Sequence, residues 1–171
     1  MKMNGNTILI TGGATGIGFS MAEYFQERGN TVIICGRRED RLEQAKAKIS
    51  GLHTIRCDVS DPNDRNLLFE SVNKNFPSMN ILINNAGIQR DIDLAEGITD
   101  PNIFSDEIRI NFEAPVCLSA LFTGLLTGKE NAAIKRFFRP CFQAAVFCRY
   151  AGLLRDKGRP AHVFNRPAQT A

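Results

Sequence analysis

The chain has 171 residues and a mass of 19.0 kDa, with 43% hydrophobic and 23% charged residues, a formal net charge of +3, two histidines and five cysteines. That profile predicts one globular domain; it argues against a disordered chain, and no apolar run reaches the roughly 18 residues that a membrane helix needs. The charge is unevenly divided: Met1–Ile134 carries 13 Lys and Arg against 17 Asp and Glu, whereas Lys135–Ala171 carries 8 against Asp156 alone.

Met1–Asn6 is short and polar and runs straight into an apolar strand, unlike the leader of a secreted protein, so the cytoplasm is the expected compartment. Thr7–Ile10 reads as a buried strand that ends in a glycine-rich turn, Thr11-Gly-Gly-Ala-Thr-Gly-Ile-Gly18. Ile17, Met21 and Phe25 recur at i, i+4 and i+8 as a helix would space them, and Gly29-Asn30 is a stop signal. Thr31–Cys35 is a second strand, and Glu39–Ser50 an amphipathic helix with Leu42, Ala45 and Ile49 on one face. His53–Cys57 follows as a third strand. Ser60-Asp-Pro62 places a capping residue before a proline at the first helical position, opening a helix with Leu68, Val72 and Phe76 on its apolar face. Asn80–Ile83 is a fourth strand, and Asp106 to about Leu126 a long helix. Strands separated by helices of this length predict an α/β, Rossmann-like, doubly wound parallel sheet, covered on both faces.

The cysteines, Cys35, Cys57, Cys117, Cys141 and Cys148, are odd in number and lack C-x-x-C spacing, which reads as small buried hydrophobes. His53 and His162 are each isolated, too few parts for a metal cluster or a histidine-based triad. No metal site is expected.

A strand that ends in closely spaced glycines and opens into a helix brings bare backbone N–H groups and the positive end of the helix dipole to one point, where a pyrophosphate fits. The second strand then ends beside the adenosine ribose. NAD-selective sites usually place a carboxylate there, about 20 residues beyond the turn. This chain offers Gly36, Arg37 and Arg38, whose guanidinium donors can fork onto a 2′-phosphate, so NADP is favoured over NAD.

Three ordered motifs, the turn Thr11–Gly18, the dipeptide Asp58-Val59 and Asn84-Asn-Ala-Gly87, together resemble the short-chain dehydrogenase/reductase family over about Lys2–Ile134. The resemblance implies that Thr11, Gly12, Gly16, Ile17 and Gly18 belong to the phosphate turn. It implies that Asp58 and Val59 meet the adenine, and that Asn85, Ala86 and Gly87 support sheet and cofactor. Asn111, in Glu107-Ile-Arg-Ile-Asn-Phe112, matches the helix asparagine with which the family holds a proton-relay water. The implied reaction is hydride transfer between a nicotinamide and a small carbonyl or alcohol substrate. Family members also pair subunits into homo-oligomers through two helices, of which the long one is retained here and the next is missing.

The rest of the family's catalytic set has no counterpart. A serine polarises the substrate oxygen, a tyrosine passes the proton, and a lysine four residues later lowers the tyrosine's pKa, because an unassisted phenol near 10 is a poor base at neutral pH. Here the last serine is Ser119, inside the long helix; the tyrosines are Tyr24 and Tyr150; and Leu154, not lysine, stands four residues after Tyr150, with Lys157 seven residues away. Only Asn111 carries over, so the chain as written is expected to lack activity. The alternative is a non-catalytic nucleotide-binding or interaction module.

The tail explains the loss. Lys135–Ala171 contains no serine, glutamate or isoleucine and is rich in arginine, proline and alanine, the composition that GC-rich codons give out of register. If Phe137 and Phe138 are both TTC, codons for Lys135–Phe142 read one base later permit Asn-Val-Ser-Ser-Gly-Leu-Ala-Phe. The same shift across Tyr150–Gly158 permits Thr-Pro-Val-Tyr-Cys-Ala-Thr-Lys, and across Gly158–Thr170 it permits Ala-Gly-Leu-His-Met-Phe-Ser-Thr-Gly-Leu-Arg-Lys-Gln, with amphipathic helical spacing. Serine, tyrosine and lysine reappear in order. The expected organisation is therefore a dinucleotide-binding region at 1–134, truncated after about four strands, and a basic out-of-frame tail at 135–171 without its own fold. In that reading Asn80–Ile83 becomes an exposed edge, an aggregation hazard. Taken literally, a basic tail suggests a nucleic-acid arm. Its phenylalanines cluster only around Phe137 and Phe142, without the repeated basic and aromatic pattern that such an arm uses, which argues against nucleic acid.

Overall fold

A computed structural model describes residues 2–89, 102 and 104–136. Apart from Gln89, these fall in one compact unit built from Met1–Ile88 and Asp100–Arg139. Tyr150, Lys157, His162, Cys141 and Cys148, and the expected out-of-frame tail beyond Arg136, lie outside the described residues.

Five strands, β1 (Thr7–Thr11), β2 (Thr31–Gly36), β3 (His53–Arg56), β4 (Ile81–Asn84) and β5 (Ala133–Arg136), form one parallel sheet in the order β3-β2-β1-β4-β5. Side chains alternate between the faces of a strand, so an apolar run with no polar break must be covered on both sides. The sheet obeys this. Leu9, Ile33, Cys35 and Leu82 join one core with Leu68 and Val72 of α3 (Pro62–Asn75) and Leu118 and Phe122 of α5 (Ala114–Leu126). Their sequence neighbours Ile8, Ile10, Val32, Ile34, Ile81 and Ile83 join the other, with Ala22 of α1 (Gly16–Gln26) and Leu42 and Ala45 of α2 (Glu39–Lys48). The doubly wound sheet is as expected.

The helix expected over Ile17, Met21 and Phe25 is present as α1, and the edge position expected of β4 is corrected. The buried residues of α1 are Gly18 and Ala22, while Ile17 is 56% exposed and Met21 and Phe25 are half-buried. A Cβ on Gly18 would lie 2.3 Å from the Gly12 carbonyl oxygen, so the helix approaches too closely for a large inward side chain. Met21 and Phe25 do not enter the fully buried core but pack against it. Nor is β4 an edge: β5 pairs with it in register, Ile81 with Ala133 and Asn84 with Arg136. Strand pairing uses backbone groups, and exposed Lys135 and Arg136 are tolerated on an outer strand, so the sheet runs two residues into the basic segment.

The other boundaries follow from local chemistry. Asp61 caps α3, its carboxylate accepting from the Asn63 N–H at 2.7 Å, with Pro62 at the first helical position. The long helix is divided into α4 (Ser105–Ile108), a π-helical turn (Arg109–Glu113) and α5. Pro115 has no N–H for the carbonyl of Asn111 and crowds it, so the chain widens upstream. The freed Asn111 carbonyl instead accepts from Arg136 Nη2.

Sequence order starts at β1 in the middle, runs outward to β2 and β3, then returns to β4 on β1's other side. That reversal leaves a crevice at the carboxyl ends of β1 and β4, the place where open α/β sheets receive ligands.

Candidate nucleotide-binding cleft

The crevice is a cavity of about 300 Å³ that runs from the glycine turn to the ends of β2, β3 and β4. Its floor is sewn together by Thr11 and Asn85. The Thr11 hydroxyl accepts from the Asn85 and Ala86 N–H groups, both at 3.0 Å, and Asn85 Nδ2 donates to the carbonyls of Thr11 at 3.0 Å and Gly12 at 3.2 Å. Thr11 is thus buried beneath the turn rather than lining the cleft, while Asn85, Ala86 and Gly87 line it.

The glycines divide by cause. Gly12 has φ +64°, and a Cβ there would stand 2.9 Å from the Ala86 Cα; Gly18 is constrained by the Gly12 carbonyl. Packing within the protein accounts for both. Gly16 differs: it has φ +55°, it lines the cleft, and nothing lies within 4 Å of the Cβ it lacks. The space beside it is open to a ligand. Thr15 precedes α1 without a side-chain cap, and no acidic residue stands in the first turn, so the N–H groups at the start of α1 are left to whatever enters. Ile17 lines the mouth.

At the other end Arg37 and Arg38 line the cleft, and so does Arg41, which sequence reasoning missed. Its signal was its position one turn beyond Arg37 on a helix that starts at Glu39. Asp58 and Val59 line the facing wall. Asp58 Oδ1 accepts from the Ser60 N–H at 3.0 Å and hydroxyl at 2.7 Å, leaving Oδ2 4.0 Å from Arg37 Nη1. This end of the cleft is therefore cationic, with a single carboxylate among its lining residues facing three guanidinium groups.

Asn111 does not line the cleft. Its Oδ1 accepts from the Ile88 N–H at 2.9 Å and its Nδ2 donates to the Ile88 carbonyl at 2.7 Å, so both ends of the amide clamp the loop after β4. Ile88 and Ile110, neither singled out by the sequence, form the wall that this clamp fixes. Ser119, the last serine, lies on α5 with its hydroxyl donating to the Pro115 carbonyl at 2.6 Å. Tyr24 lies on α1 with the Arg28 guanidinium 3.5 Å above its ring.

Uncapped N–H groups, open space at Gly16 and a cationic far end suit a phosphate-bearing dinucleotide. Gly12, Gly16, Ile17 and Gly18 would hold its pyrophosphate, and the arginines its adenosine end. Among the described residues no group of three or more His, Cys, Asp or Glu is placed to hold a metal ion, and no helix is long and apolar enough to cross a membrane.

Comparison with known proteins agrees with this geometry. The Bacillus subtilis (strain 168) protein described as uncharacterized oxidoreductase DltE is 47% identical over 153 residues, 86% of this chain and 61% of its own. The short chain dehydrogenase/reductase dpmpG of Macrophomina phaseolina is 36% identical over 125 residues, 70% of this chain and 71% of its own. Among solved structures, the 3-ketoacyl-(acyl-carrier-protein) reductase from Brucella melitensis complexed with NADH superposes with a TM-score of 0.72 at 26% identity, covering 79% of this chain and 57% of that one. The chain thus spans about three fifths of the length of DltE. The family model for short chain dehydrogenases matches residues 6–134 and stops where the basic composition begins, and on that match the chain belongs to the short-chain dehydrogenase family.

Proposed function

We propose that this chain carries the dinucleotide-binding part of a cytoplasmic, NADP-preferring reductase, and that as written it binds the dinucleotide without turnover. The observation that carries the reading is the glycine turn itself: Gly16 combines a left-handed backbone with open space where its Cβ would be, directly before an uncapped helix start. Bound NADP would supply the hydride donor or acceptor for a small carbonyl or alcohol substrate. The chain's own part is to hold the pyrophosphate on the α1 N–H groups and to meet a 2′-phosphate with Arg37, Arg38 and Arg41. Thr11 and Asn85 keep the turn against β4, and Asn111 keeps Ile88 in the wall.

Among the described residues no serine or tyrosine lines the cleft to pass a proton. A positioned acid or base is worth about 10²- to 10⁴-fold in rate, and neither Ser119, tied to Pro115, nor Tyr24, on α1, stands in the cleft. Arg136 donates to the Asn111 carbonyl and Ile88 bonds both ends of the Asn111 amide, so Asn111 serves here to tie the loop after β4 to the π turn and to β5. The non-catalytic module is thereby the reading for the chain as written, and the reductase the reading for the in-frame form, with codons beyond Ile134 shifted by one base.

Titration of the 171-residue chain with NADPH and NADH tests the first part. Saturable binding, tighter for NADPH and without oxidation by added carbonyl compounds, is expected; no binding up to millimolar NADPH overturns it. Sequencing the coding DNA from the Ala132 codon onward tests the second. A single-base change that opens a frame through Tyr-x-x-x-Lys is expected, and a frame that gives no such motif overturns it.

A further inference from the structure

We propose that Arg65 is a positioning residue of the cleft, setting the distance between its adenosine-side wall and the π-helical turn; this rests on the nucleotide-binding reading above. Arg65 sits on α3, outside every motif of the sequence, and its side chain is only 4% exposed. A guanidinium is costly to bury, and a packing role at this position would be met by an apolar side chain of similar length. What Arg65 does instead is reach two elements at once. Nη1 donates to the Val59 carbonyl at 2.7 Å, and Nη2 donates to Glu113 Oε1 at 2.9 Å.

Both partners belong to the cleft's frame. Val59 lines the cavity in the loop after β3, and Glu113 ends the π turn whose Ile110 lines it too. The same turn carries Asn111, which clamps the N–H and carbonyl of Ile88, a third lining residue. Val59, Arg65, the π turn, Asn111 and Ile88 thus form one continuous chain of hydrogen-bonded groups along the cleft wall. A planar fork holds two acceptors at a fixed separation, which a lysine cannot do. Arg65 touches no bound group itself; it acts through Val59 and Glu113.

Hydrogen exchange and binding test this on the full chain. In Arg65→Met the Ile88 amide is expected to exchange about tenfold faster relative to global opening, and affinity for NADPH and for adenosine 2′,5′-bisphosphate to fall about tenfold each. Glu113→Gln keeps the Val59 contact and a weaker acceptor, so it is expected to speed Ile88 exchange while leaving adenosine 2′,5′-bisphosphate affinity within about twofold. Arg65→Lys is expected to rescue neither reading fully. If Arg65→Met does not fold, Glu113→Gln decides: unchanged Ile88 exchange overturns the proposal. Binding by the parent with unchanged exchange and affinities in the variants makes Arg65 an ordinary structural ion pair. Failure of the parent to bind either probe overturns the nucleotide reading, and Arg65's role in it.

Discussion

The two ends of the parallel sheet are built from similar polar residues and do opposite things. At the amino ends, Asn30, Asn6 and Asn80 each stand one residue before β2, β1 and β4, in adjacent strands. They satisfy one another: Asn30 Oδ1 accepts from the Asn6 N–H and Nδ2, Asn6 Oδ1 accepts from Asn80 Nδ2, and Asn80 Oδ1 accepts from the Thr7 N–H, all at 3.0 Å. Their other amide donors go to backbone carbonyls, Asn30 Nδ2 to Met3 and Phe25 and Asn80 Nδ2 to Glu130, and none of the three lines the cleft. At the carboxyl ends the helix donors of α1 have no side-chain cap, and Asn84 Oδ1 is buried with no hydrogen-bond partner. Polar residues at a strand end therefore do not mark a site; donors and acceptors left unspent beside open space do.

Substitutions at the two ends sharpen that contrast. The largest effect is expected from Gly18→Val, whose Cβ would meet the Gly12 carbonyl oxygen at 2.3 Å and Asn85 Nδ2 at 2.6 Å. Neither is a flexible tip, so the turn must come apart, and loss of both folding cooperativity and NADPH binding is expected in a urea melt and a titration. Asn80→Leu follows: it strands the Thr7 N–H, Asn6 Oδ1 and the Glu130 carbonyl, at a cost of about 3 kcal/mol. NADPH affinity of the folded fraction is expected to hold, and a tenfold loss there would show that the amino end is coupled to the cleft.

Gly16→Ala reverses the pattern. It meets no atom within 4 Å, so the stability cost is the left-handed backbone alone, about 1 kcal/mol. NADPH affinity is nevertheless expected to fall at least tenfold, since the methyl group would fill the space proposed for the pyrophosphate. Unchanged affinity would move the phosphate site elsewhere.

These differences also separate what the sequence could show from what it could not. The turn Thr11–Gly18, the strands and the Asp61-Pro62 start of α3 are local, and local chemistry announces them. The spacing of Ile17, Met21 and Phe25 announces the α1 helix, but which of its residues are fully buried is not local: the close approach of Gly18 to the Gly12 carbonyl buries Gly18 and Ala22, while Met21 and Phe25 pack half-buried against the core. Pro115 was visible, but that its effect would fall on Asn111 depended on the width of the turn before it. Arg65 gave no signal, because a charged helix residue is ordinarily solvated and only the partners Val59 and Glu113, brought in by other elements, explain its burial. The composition break at Ile134 was real in the sequence, yet pairing with β4 carries the sheet to Arg136, since a strand's backbone bonds are indifferent to its side chains.

The smallest expected effect lies under the open end, at Cys35. Its carbonyl accepts from the Gly12 N–H at 2.8 Å and the Gly13 N–H at 3.3 Å, so β2 anchors the glycine turn from below. A hydrogen bond with Cys57 and complete burial push the Cys35 thiol well above the ordinary range. The folded chain therefore holds this proton more tightly than the unfolded chain, whose thiol titrates near about 8.5. The stabilisation is complete below that pH and is lost as pH rises toward the folded value, by no more than about 1.4 kcal/mol per pH unit for one proton. Urea midpoints are expected to fall between pH 8 and pH 10, and Cys35→Ala is expected to flatten the fall while lowering stability at pH 7. Equal slopes in parent and variant would assign the decline to other groups, leaving Cys35 as an anchor through its backbone alone.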